Sequence, residues 1–160
     1  MRHALAAVIF LLALTGCGTT PRRDFTPVIA RFFLESTDAQ SGFATLPQSG
    51  VRIAVAVKPV ITEFDFVNVQ VARVELGQCL MFQLTPAAAR DLYRLTTTNQ
   101  GRRLVLVLNG EPVGSRRIER PFEDGTVLVF VEKPDAALQA IAEALRKTSE
   151  ELQRAAAKKS

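Results

Sequence analysis

The chain has 160 residues, with 20 lysines and arginines against 16 aspartates and glutamates, a formal net charge of +4, two cysteines, one histidine and no tryptophan. That length supports one domain with a real core and is too short for two. The mild basic excess is spread over Arg102-Arg103, Arg116-Arg117, Arg120 and Lys158-Lys159. Such a patch can draw an anionic surface, phospholipid headgroups or a cell-wall polymer, although scattered solvated charges account for it more simply; no nucleic-acid partner is expected.

Arg2 and His3 open the chain with a short basic region, residues 4–14 are apolar, and Leu14-Thr15-Gly16-Cys17 follows. The apolar run is shorter than the roughly 20 residues that span a bilayer, so residues 1–16 are expected to be a cleaved signal peptide rather than a membrane helix. Leu14-Thr15-Gly16-Cys17 resembles the bacterial lipobox, which implies cleavage before Cys17 and lipidation of its thiol. Acyl chains at about 0.8 kcal/mol per buried methylene would make that membrane attachment effectively permanent. The alternative is ordinary cleavage, with Cys17 an incidental thiol. Gly18, where many inner-membrane lipoproteins carry aspartate, points toward the outer membrane.

Removal of residues 1–16 leaves 144 residues, 19 basic against 16 acidic, and discards the single histidine. Histidine-dependent triads and histidine-ligated metal centres are thereby excluded, and neither catalytic residue nor metal nor cofactor is expected. Cys79, in the run CLMF, has no partner for an intramolecular disulfide if Cys17 is lipidated. It reads as a small buried hydrophobe, an intermolecular disulfide being the alternative.

Residues 17–27, polar and broken by prolines, suit a tether, and residues 28–157 a single domain. Residues 28–35 read as a first strand and 36–50 as a polar loop. Val51, Ile53, Val55 and Val57 alternate with polar or small residues as in a half-buried strand. Thr62 and Asp65 suit a cap or turn. Val67, Val69 and Val71 alternate again, while Val74 and Leu76 continue in the opposite phase, which places a bulge near Ala72-Arg73. Gly77-Gln78 is expected to turn the chain into an apolar strand at 79–84, covered on both faces.

Thr85-Pro86 is a helix start, cap followed by a proline that loses nothing at the first position, and Ala88, Leu92 and Leu95 fall on one face. Gly101 suits a left-handed stop. Residues 102–108 lead as a strand into Asn109-Gly110, the strongest short hairpin signal. Residues 113–118 are more polar and suit an edge strand. Glu123-Asp124-Gly125 makes a turn, and 126–131 is a third apolar strand. After Pro134, Leu138, Ile141, Leu145 and Leu152 recur at helical spacing, with Thr148 interrupting; the stripe is expected to pack on the sheet, or else on a partner helix.

These elements predict an α+β domain: a mostly antiparallel sheet of about six or seven strands, one central crossing helix and a C-terminal helix. Glu63 and Asp65 would share a face on a strand, as glycosidase chemistry permits, but an exposed turn explains them better.

From Lys58-Pro59-Val60-Ile61-Thr62 and Asp65, through Leu84-Thr85-Pro86, Asn99-Gln100-Gly101 and Leu108-Asn109-Gly110, to Asp124-Gly125, the sequence resembles the head of the first periplasmic domain of SecD/SecDF, over residues 58–132. Ser115-Arg116-Arg117 stands where that family has Ala-Pro, and Asp124-Gly125 where it has Gly-Gly. The resemblance implies an α+β fold, no catalysis, and a binding surface within machinery that draws secreted chains across a membrane. The expectation is therefore a lipid-anchored, periplasm-facing envelope protein whose partners are the membrane, through Cys17, and an extended polypeptide or envelope protein. Arg116, Arg117 and Arg120, on or beside the strand at 113–118, are the candidate binding residues, because a sheet edge captures extended chains through main-chain bonds. A cell-wall-contacting lipoprotein using its basic residues is the alternative; an enzyme would need a pocket holding a strongly perturbed carboxylate or lysine.

Overall fold

The computed structural model describes residues 26–38 and 41–158. The expected signal peptide, Cys17 and most of the expected tether lie outside the described residues. In chain order the elements are β1 (Ala30–Leu34), β2 (Gly42–Thr45), β3 (Arg52–Val55), β4 (Phe66–Val74), β5 (Gly77–Leu84), α1 (Pro86–Thr98), β6 (Arg103–Leu108), β7 (Glu111–Arg117), β8 (Thr126–Val129) and α2 (Asp135–Ala157). The class is α+β, with all strand pairs antiparallel. The strands form three sheets, ordered β1-β6-β7, β2-β3 and β4-β5-β8. Single bridges stitch them: Glu35 to Val55 joins β1 to β3, and Gly114 to Val131 joins β7 to the residues after β8.

Local chemistry explains most of these elements. Asn109 and Gly110 have φ of 48° and 87° and connect Leu108 to its partner Glu111, the two-residue turn that needs positive φ at both positions. β6 is apolar from Leu104 onward, as a strand covered on both sides requires. Its Leu104, Leu106 and Leu108 enter the main core, and Val105 joins Ala44 and Ile53 in a second, smaller one. The main core centres on Phe32, Phe66 and Phe82, with Phe82 at 5.0 Å from each of the other two ring centroids. α2 closes that core with Leu138, Ala142 and Leu145. Thr148 belongs to the buried face instead of interrupting it: its hydroxyl accepts the Val28 N–H at 3.1 Å and donates to the Ala144 carbonyl at 2.7 Å.

Four further expectations change. β2 falls inside the stretch expected to be loop, because only its Ala44 is buried and its pairing with β3, not an apolar pattern, makes it a strand. The bulge lies at Val67, not Ala72-Arg73. Register passes from Phe66 opposite Leu84 to Asn68 opposite Gln83, so Val67 is turned outward at 55% exposure while Phe66 and Val69, three apart, both face inward. The β4–β5 turn is Glu75-Leu76, and Gly77 already pairs with Val74. Of the alternating valines around β3, Val57 lies beyond the strand and is 76% exposed.

The Thr85 hydroxyl accepts the Ala88 N–H at 3.3 Å, as a helix cap should, and the Thr85 N–H donates to the Asp65 carbonyl. Thr85→Ala is expected to destabilise the fold by about 1 kcal/mol, with Thr85→Ser close to wild type, as read from urea midpoints. Equal midpoints for all three proteins would show that the cap contributes nothing.

Candidate functional site

The candidate site is built by the turn that joins β7 to β8. Ile118 ends β7 by exchanging backbone bonds with the α1–β6 connection, donating to Arg102 and accepting from Gly101, both at 2.8 Å. The chain then crosses to α1, where the buried Thr96 hydroxyl accepts the Phe122 N–H at 3.0 Å. Gly125 follows with φ of 65°, packed so closely on α1 that a Cβ there would lie 2.6 Å from the Ala89 Cβ. Asp124 accepts the Thr126 N–H and starts β8. Two attachments to one helix thus fix the turn.

Between this turn and the strands lies a cleft of about 250 Å³. Arg116 on β7 and Thr126 and Leu128 on β8 form its walls. Glu119, Arg120, Phe122, Glu123 and Asp124 close it. Arg116 and Arg120, 4 positions apart in sequence, therefore meet at one site, whereas Arg117, exposed on β7, does not line it. No ion pair among the described residues engages any of the three arginines. The acidic members of the cleft were missed by the sequence reading, although the run Glu119-Arg120-Pro121-Phe122-Glu123-Asp124 displays both signs around a proline.

β7 ends its sheet, as an edge strand should, but its outer side is partly occupied. Gly114 bridges to Val131, and the Glu132 N–H donates to the Val113 carbonyl at 2.6 Å. The open stretch of the edge begins beyond Gly114. The Glu132 carboxylate in turn accepts the N–H groups of Gln48 and Ser49, which ties the β2–β3 turn to the end of β8.

The other candidate groups have local roles. Cys79 is fully buried in β5; burial pushes its thiol up and outweighs the opposing pull of the Arg116 charge, so it stays protonated and out of reach of a partner's thiol. Glu63 and Asp65 form a turn, but Glu63 is 7% exposed rather than on the surface and receives two bonds from the Arg31 guanidinium, at 3.1 and 3.2 Å. Asp65 accepts the Thr62 N–H and hydroxyl. Each carboxylate is thus taken up by its own local partners. Among the described residues no three of histidine, cysteine, aspartate and glutamate gather as a metal site, and no helix is long and apolar enough to cross a membrane.

No protein-family model and no curated protein matches the chain. Solved structures do. A structure of SecDF in its super-membrane-facing form superposes with a TM-score of 0.61 at 17% identity, over 74% of this chain and 18% of that one. A SecDF structure described as a membrane component that enhances protein export gives 0.59 at 16% identity, over 75% and 62%. SecDF from Thermus thermophilus, described as a translocon-associated membrane protein, gives 0.52 at 17% identity, over 78% and 20%. The chain thus spans less than two thirds of each of these proteins, and what it shares with them is the fold: most of its length has a SecDF-like α+β fold.

Proposed function

We propose that this protein is a non-catalytic binding module of the bacterial envelope, held at the membrane by a lipid on Cys17 and facing the periplasm, where it captures an extended polypeptide or a membrane-protein partner in support of protein export. The observation that carries this reading is the SecDF-like fold over 74% of the chain; the resemblance of residues 58–132 to the SecD head supports it. The proton-driven part of that machinery is not carried over. The Arg116–Arg120 cleft, with unpaired guanidiniums against an apolar Leu128 and Phe122, is the surface best suited to contact the partner.

The test uses the full chain purified in detergent and a fluorescent, permanently unfolded polypeptide, reduced and carboxymethylated α-lactalbumin. Saturable binding by fluorescence anisotropy is expected, together with incorporation of labelled fatty acid that Cys17→Ala abolishes. An absence of binding to the unfolded chain, with capture of folded envelope proteins also lacking in cross-linking from intact cells, overturns the reading.

A further inference from the structure

We infer that the cleft between β7 and β8 is a strand-insertion site, in which one extended stretch of a partner polypeptide pairs through its backbone with the open edges of both strands; this deepens the binding-module reading and rests on it. β7 is the end strand of β1-β6-β7, and β8 is the end strand of β4-β5-β8. The two sheets meet at one rung, Gly114 with Val131, reinforced by the Glu132 to Val113 bond. An antiparallel ladder continued from that rung would set Ser115 opposite Phe130, Arg116 opposite Val129 and Arg117 opposite Leu128. It stops instead. Among the described residues, β7 pairs along its length only with β6, and β8 only with β5.

Two features hold the strands apart. The ladder between β6 and β7 shifts between Leu106 and Val107, so that Leu106 faces Gly114 and Val107 faces Pro112, and the extra residue at Val113 bends β7. At the far end, the bond from Phe122 to Thr96 and the contact of Gly125 with Ala89 fasten the connecting turn to α1. The result is a wedge closed at Gly114 and braced open at the turn, with Arg116 on one wall and Leu128 on the other.

Strand edges that face each other across a gap present N–H and C=O groups that only water satisfies. Neighbouring strands in a ladder lie about 4.8 Å apart, so one strand joins both sheets only where the wedge opens to roughly twice that width, away from the rung, since β7 and β8 still approach within 8 Å of each other. β7 and β8 run antiparallel, so the inserted strand is antiparallel to one and parallel to the other. Backbone pairing makes the site tolerant of sequence, as capture of many extended chains requires. Selectivity comes from side chains alone: Arg116 and Arg120 favour an acidic residue in the wedge, and Glu119 and Glu123 at its mouth favour a basic one beside it.

Hydrogen exchange on the full chain in detergent, with and without saturating reduced, carboxymethylated α-lactalbumin, tests this. Of the amides at 115–117 and 126–129, those that point into the wedge rather than toward β6 or β5 are expected to slow by about tenfold or more, with the outer strands β2 and β4 unchanged. Arg116→Ala with Arg120→Ala is expected to weaken binding by about fivefold at an unchanged thermal midpoint. If that variant does not fold, exchange on the wild type decides alone. Binding with protection confined to other strands overturns the insertion site while the binding-module reading stands; a complete lack of binding to the unfolded chain overturns the insertion site, and the binding-module reading falls with it only when cross-linking from intact cells also captures no envelope protein.

Discussion

Replacing Gly114 by alanine is expected to destabilise the fold by about 2–3 kcal/mol and to lower the thermal midpoint by roughly 6–12 °C. A Cβ at this position would lie 2.3 Å from the Phe130 carbonyl oxygen and 3.2 Å from the Phe130 carbonyl carbon and a Val129 methyl. Two of these atoms are backbone, so no rotamer change relieves the clash; β7 and the end of β8 must separate. They cannot do so freely, because Gly114 forms the single rung, among the described residues, between two sheets that share one core. Gly42 is the control. Nothing lies within 4 Å of a Cβ there, so Gly42→Ala is expected to stay within about 0.5 kcal/mol of wild type or gain slightly from a less flexible unfolded chain. Circular-dichroism melts of the two variants side by side decide the matter, and equal midpoints would mean that the rung is dispensable.

The contrast between these two glycines marks what a sequence shows and what it hides. Features decided within a few residues were legible: the Thr85 cap, the Asn109-Gly110 turn, the apolar strand that becomes β5 between two partners, and the helical stripe of α2. Features decided across the fold were not. β2 carries too little apolar pattern to announce itself and exists because β3 lies beside it. The valines out of step after Val71 were visible but mark no bulge: pairing runs unbroken from Asn68 to Val74, which is 38% exposed, and the extra residue, Val67, is fixed only by pairing of its neighbours with Leu84 and Gln83. The candidate site divides the same way. The arginines at 116 and 120 stood out as charge, and the polar composition of residues 113–118 placed them on or beside an edge strand. That edge is half occupied, and its open half faces a second edge from β8. Both facts depend on the bridge of Gly114 to Val131, a contact between residues 17 positions apart that no local motif encodes.

Arg31→Met is expected to destabilise the protein by about 2 kcal/mol at pH 7, and the loss should shrink as the pH falls below about 4. Glu63 is the reason. Burial alone would push its carboxyl up, but the two bonds from Arg31, a bond from its own backbone N–H and the guanidinium charge together hold it below the usual glutamate range. A carboxylate with a lowered folded pKa contributes stability that is complete above the unfolded value, about 4.3, and is lost as pH falls through the folded value. Removing Arg31 leaves burial opposed only by the backbone bond, so the variant weakens relative to the wild type as pH rises through the carboxylate range. The Arg31 side chain is 46% exposed, which is why the expected loss is smaller than that for splitting a fully buried pair. Adding Glu63→Gln to Arg31→Met removes the stranded charge and is expected to recover about half of the lost stability at pH 7. Urea unfolding of the three proteins at pH 7 and pH 3.5 measures all of this. A pH-independent difference between Arg31→Met and wild type would show that packing of the arginine stem on β1, not the buried carboxylate, is what the substitution disturbs.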